Sequence, residues 1–294
     1  MSLSKEQQVW NAAQAGDLSV VKKLATDSTL NINWQGAGGF TALNYACSEG
    51  RLSVVQFLLT LSMIDVNKPS NFGFTPFLVA CFNGSKEMVS LFLADKRTDV
   101  NKPVNVQCTP LWFASSDGHL TIVQLMLVSG RDIDIQIKSE AGSEPWNSKT
   151  AAEVARWVST LQRLDEESED EFNLKIQNCP LIADLIDSFE ADPATTRQQL
   201  RELPHLRDPF IGEVFALVVF LCDGLLATTK PSAAGASEVA RFFQIAIQLP
   251  MELQMVLCNR MFGSGKDYVL TRHSEPAFKK LARLLIVDQQ SGVN

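Results

Sequence analysis

The chain is 294 residues long and 46% apolar, a length at which one hydrophobic core ordinarily gives way to two. A formal charge of −7 with no Lys/Arg-rich tract excludes a general nucleic-acid binder, because phosphate contacts need a basic surface. The N-terminal residues Met1-Ser-Leu-Ser-Lys-Glu lack the apolar stretch of a secretory signal, and a cytoplasmic location is expected.

From the start of the chain a period of 34 residues dominates. Gly16, Gly50, Gly84 and Gly118 fall one period apart, as do Ala12, Ala46, Ala80 and Ala114, and Val21, Val55, Val89 and Val123. Four copies in several registers define a repeat array, which must be recognised before any single element is read. The first unit has Gln7 and Gln8 where later units have Thr-Ala or Thr-Pro, as a capping unit with one wet face requires. In the next three units Thr41, Thr75 and Thr109 predict helix starts, two of them followed by proline, and each short helix ends at its glycine. A second helix then carries Val55, Leu58 and Leu59, matched by Val89, Phe92 and Leu93. Asp65-Val66-Asn67 and Asp99-Val100-Asn101 lead from it into extended fingers, and Gly39 and Gly73 turn the fingers back. Gln107 replaces that glycine in the fourth unit, which predicts a looser or differently shaped turn. The fifth unit restarts late, at Thr150-Ala151-Ala152-Glu153, after a longer finger over 137–149. Ser159 stands where its inter-helix glycine should be, so one helix is expected there and no proper second one.

Thr75-Pro76-Phe77-Leu78-Val79-Ala80, Gly118-His119 with Ile122-Val123, and Asp99-Val100-Asn101 resemble the ankyrin repeat. That resemblance implies a turn and two antiparallel helices per unit, stacked with an L-shaped cross-section, and recognition of another protein as the function. Tetratricopeptide repeats share the period, but their Trp, Tyr and late-Pro positions are not in register here. The histidine of the usual ankyrin Thr-Pro-Leu-His is Asn44, Leu78 and Trp112 in the three central units.

Residues 163–173 change character, with Asp165, Glu166, Glu167, Glu169, Asp170 and Glu171 in one run, and read as an exposed connector or solvated helix turn. Ser168, followed by Glu169-Asp170-Glu171, resembles an acidophilic kinase site. Beyond it the pattern is helical without a repeat, with candidate helices over 174–191, 194–203, 209–227, 237–248, 250–262 and 275–287 and a loop over 228–235. The apolar stretch 210–227 carries Glu213 and Asp223, so a buried core helix is expected and no membrane span. The fold class is therefore all-α: an ankyrin-like helical solenoid over 1–162, an acidic connector over 163–173 and an all-helical domain over 174–294.

Little chemistry emerges from the remaining signals. The six cysteines form no Cys-x-x-Cys pair and no metal-ligand spacing with His119, His205 and His273, so no metal or cofactor is expected and the thiols read as free. Gly263-Ser-Gly265-Lys266 lacks the first glycine and the hydroxyl of a phosphate loop, having Arg260 and Asp267 there. Leu249-Pro250-Met251-Glu252-Leu253 resembles the opening of an F-box, which would imply docking to the Skp subunit of a cullin-type ubiquitin ligase. The same residues also read as an ordinary helix N-terminus. The expected function is a non-enzymatic protein-interaction module or adaptor; a ubiquitin-ligase substrate adaptor and an enzyme with a site dispersed through the C-terminal domain are the alternatives.

The repeats supply their own control for locating a binding face. Phe74 shares its register with Phe40, which points to packing between fingers. Phe82 has Ser48 and Ser116 as equivalents, Phe72 has Gly38 and Val106, Trp34 has Lys68 and Lys102, and Trp112 has Asn44 and Leu78. In the ankyrin family such finger and inner-helix positions line the concave face. Phe72 and Phe82 are thus the expected protein-binding anchors, flanked by Trp34 and Trp112, and filling of local gaps is the competing explanation.

Overall fold

Each repeat begins where a threonine hydroxyl satisfies a backbone donor that a helix cannot satisfy for itself. The computed structural model describes residues 3–141, 144–162, 168–203 and 206. Among them are eleven α-helices and no strand: α1 (Lys5–Ala15), α2 (Leu18–Leu24), α3 (Ala42–Ser48), α4 (Leu52–Leu59), α5 (Pro76–Phe82), α6 (Lys86–Ala94), α7 (Pro110–Ser116), α8 (Leu120–Val128), α9 (Ala151–Val158), α10 (Glu169–Ala191) and α11 (Pro193–Glu202). Thr41, Thr75, Thr109 and Thr150 cap α3, α5, α7 and α9, each hydroxyl accepting the N–H three residues on. Pro76 and Pro110 sit in the first turn, where the absent N–H costs nothing. In the first unit Ser4 does the capping, three residues before the position of Gln7, so α1 is longer than its equivalents.

The inner helices α1, α3, α5, α7 and α9 stack in chain order, and the outer helices α2, α4, α6 and α8 stack behind them. The repeat register is a burial register: Val21, Val55, Val89 and Val123 are wholly buried, as are Leu58, Phe92 and Met126. Three asparagines at the finger bases tie successive units together. Asn33 Nδ2 donates to the Met63 carbonyl and its Oδ1 accepts the Asp65 N–H, both at 2.8 Å. Asn67 bridges to Arg97 and Asp99 at 2.7 and 2.8 Å in the same way. Asn101 bridges to Asp132 and Asp134 at 2.8 and 3.0 Å, one residue out of step, so the slip that delays the fifth unit begins before Asp132.

Two sequence expectations are corrected here. The Gln107 turn is not looser: its φ of 60° matches the left-handed Gly39 and Gly73, and the same pair of backbone bonds closes all three turns. A Cβ at Gly73 would lie 2.8 Å from the Asn105 nitrogen and the Val104 Cα, so glycine is required there by contact as well as by φ. After Gln107 the longer fifth finger meets this finger through the Glu140 N–H and the Val106 carbonyl, and a side chain fits.

The fifth unit also has a second helix. α10 packs on α9, α8 and α7, taking the outer-helix place behind the last inner helix. Cys179, Ile182, Ala183, Ile186 and Phe189 form its buried stripe. It starts at Glu169, five residues before the expected 174, because Glu169, Asp170 and Glu171 form its first turn, where negative charge suits the helix dipole. Asn178 Nδ2 donates to the Gly118 carbonyl at 2.9 Å, and a Cβ at Gly118 would lie 2.8 Å from Lys175 Cα. By contacts the chain divides into 1–197 and 198–294, and the described part of the second division is the end of α11 with the residues just after it.

The candidate helices over 209–227, 237–248, 250–262 and 275–287 lie outside the described residues, as do the F-box-like phrase, the Gly263–Lys266 turn, His205, His273, Cys222 and Cys258. No helix among the described residues is long and apolar enough to cross a membrane.

Candidate functional site

Fingers and inner helices together present a line of aromatic rings. Tyr45 on α3 and Phe113 on α7 share one register, with Val79 of α5 between them, and Phe82 lies one turn further along α5. Phe113 gathers three neighbours: Phe82 edge-to-face at 5.7 Å, Phe74 at 5.9 Å and Trp112 at 5.4 Å between ring centroids. Towards the first unit, Tyr45 stands edge-on between Trp10 at 4.4 Å and Phe40 at 5.3 Å. Trp10 Nε1 donates to the Phe40 carbonyl at 2.9 Å, which fixes the first finger against the first inner helix.

Two of the expected anchors are exposed. Phe72, at the tip of its finger turn, is 60% exposed, and its ring lies over Gly38, where an added Cβ would come within 3.9 Å of it. Phe82 is 46% exposed. Its carbonyl accepts from His119 Nε2 at 2.8 Å, so the histidine at the Gly-His position ties the start of α8 to the end of α5. Trp34 is half-buried at the base of the first finger.

Trp112 is placed differently from the expectation. At 7% exposure it is buried, on the helix that packs against α9 of the fifth unit. Phe74, expected to pack between fingers, also meets Phe113 of the next inner helix. Phe113 and Tyr45 were not singled out from the sequence. The signal is present, since two of the three equivalent positions 45, 79 and 113 are aromatic, but a shared register by itself points to a shared packing role.

The four described cysteines, Cys47, Cys81, Cys108 and Cys179, are free and buried. Burial pushes the Cys47 and Cys81 thiols upward, and it raises Cys108 and Cys179 to about 11. Among the described residues no group of three or more His, Cys, Asp and Glu is placed to hold a metal ion.

The sequence model of the family described as ankyrin repeats, three copies, matches residues 6–70 and 60–139. Residues 6–139 are ankyrin repeats. No curated protein matches the chain. The aromatic line therefore lies on the finger and inner-helix side of an ankyrin array, with α9 and α10 extending it beyond the matched residues. A separate cavity of about 310 Å³ opens where α7, α9 and α10 meet, walled by Trp112, Trp146, Trp157, Val158 and Phe172. The charged groups in its lining, Lys175 and Asp117, pair with each other at 3.4 Å.

Proposed function

We propose that the chain is a non-enzymatic adaptor that recognises another protein through the finger and inner-helix face of its ankyrin repeats. Ankyrin repeats generally mediate protein–protein interaction. The observation that carries the proposal for this chain is the exposure of Phe72 and Phe82, at 60% and 46%, on one side of a rigid stack. Monomer surfaces rarely leave such rings uncovered in company with others, and aromatic anchors on a pre-ordered surface bind with little ordering cost. Phe72 and Phe82 act as anchors, with Trp34 at the edge; Trp112 contributes from beneath, by holding Phe113 against Phe82.

The test is affinity purification from native cells with the full chain and with the double variant Phe72→Ala plus Phe82→Ala. At least one protein should be retained by the first and lost with the second, while the two chains melt at nearly the same temperature. Identical sets of retained proteins would refute the assignment of these rings.

A further inference from the structure

The face that carries Phe72 and Phe82 has a second property. Residues 35–48, 69–84 and 103–116, which build the three central fingers and α3, α5 and α7, contain no Asp, Glu, Lys, Arg or His in a chain that is 20% charged. Charge resumes at their borders. Glu49, Lys68, Lys102 and Asp117 stand at the ends of the segments. Lys102 Nζ already donates to the Asn67 carbonyl at 3.1 Å, and Asp117 pairs with Lys175. The terminal units differ, with Lys5 and Glu6 in α1 and Glu153 and Arg156 in α9. The uncharged zone is thus confined to the three units that hold the exposed rings.

Solvent-facing surface ordinarily carries charge, whereas the centres of protein interfaces are depleted of it and enriched in aromatic groups. A charged partner group laid on this zone would lose water and find no counter-charge. Apolar side chains, by contrast, meet Phe72, Phe82 and Val106, all of them about half exposed or more, and amide groups meet the exposed Asn71, Asn105 and Gln107. Resting on the recognition role proposed above, we infer that the partner is a protein segment uncharged along the stretch that contacts this face, bearing aromatic or aliphatic side chains. Its binding is insensitive to ionic strength, because no charge pair is formed for salt to screen.

The experiment pans a random peptide display library against the full chain and measures synthetic peptides from the enriched set. The shared core of those peptides should lack Asp, Glu, Lys and Arg, and Kd should change less than about twofold between roughly 50 and 500 mM NaCl. Phe72→Ala plus Phe82→Ala should weaken them about tenfold or more. Val106→Lys, a change at an exposed finger tip, should weaken them by a similar factor. Peptides that need Phe72 and Phe82 but carry a conserved charge, or weaken steeply with salt, would overturn this inference and leave the recognition role standing. Failure to enrich any peptide dependent on those two rings would overturn both. A concentration-dependent dimer in sedimentation, abolished by the double substitution, would assign the face to a second copy of the chain and refute the inference as stated.

Discussion

At the scale of single residues, exposure separates side chains that hold the stack from those it presents. Phe77 and Phe92 are wholly buried and meet edge-to-face at 6.1 Å between the helices of one unit. Phe77→Ala should cost about 3–5 kcal/mol in urea unfolding. Phe72→Ala plus Phe82→Ala should together cost less than about 1.5 kcal/mol, mainly the edge contact of Phe82 with Phe113. A loss equal to that of Phe77→Ala would place the two rings in the core. The finger turns give a prediction of opposite sign at equivalent positions. Gly73→Ala forces a Cβ to within 2.8 Å of the next finger's backbone at φ +87°, and should destabilise by roughly 2 kcal/mol or more. Gln107→Gly relieves a non-glycine residue at φ 60° and should be neutral or stabilise by up to about 1 kcal/mol. The reverse pattern in thermal unfolding, with Gly73→Ala tolerated and Gln107→Gly strongly destabilising, would mean that the fourth finger, not the third, is the crowded one.

Elements hold together here through bonds that skip a whole period. Asn67→Ala removes the group that both caps the Arg97 carbonyl and receives the Asp99 N–H, and should cost about 1–2 kcal/mol, more than Asn105→Ala, which loses one bond to the Asn71 carbonyl. Similar losses for both would remove the asparagine ladder as a source of stability. These inner and outer helices were legible because glycine, valine and threonine recur in step, and each recurrence has one physical cause: a left-handed turn, a buried contact or a cap. α10 was not legible as part of the array. It follows no glycine, it is three turns longer than the other outer helices or more, and its acidic first turn reads as solvent-seeking until the helix dipole is considered. Its apolar stripe of Cys179, Ile182, Ala183 and Ile186 was visible, but nothing in the sequence says which surface it meets. The candidate site was half legible for a related reason: broken register revealed Phe72 and Phe82, yet Trp112 is buried on the helix that packs against α9 of the fifth unit. Ile182→Asp should therefore speed exchange in the last two units of the stack and leave that of the first units unchanged, which hydrogen exchange by mass spectrometry would resolve. Protection lost uniformly from α1 to α9 would show instead that the array unfolds as one block.

For the repeat array as a whole, the ionisable groups predict a pH window from two opposite shifts. Several carboxylates cap helices. The Thr150 N–H holds Glu153 below the usual carboxylate range, and the hydroxyls of Ser19 and Thr195 do the same for Asp17 and Asp192. Burial works against Asp95, but its hydrogen bonds from Arg97 outweigh it and the net shift is again downward. A group with a lowered folded-state value contributes stability that is present above its unfolded value and is lost as pH falls through the folded one, so the array weakens below about pH 4. The four buried thiols are shifted the other way. Desolvation raises them, Cys108 and Cys179 to about 11, while an unfolded thiol ionises near 9. Their contribution is complete below the unfolded value and declines as pH rises through the folded values, because only the unfolded chain gains from ionising in between. Unfolding midpoints in urea should accordingly be flat between about pH 5 and 8 and fall on both sides. Cys47→Ala with Cys81→Ala should flatten the alkaline limb and leave the acid limb in place. An alkaline limb unchanged in that variant would show that groups other than the buried thiols set the upper edge of the window.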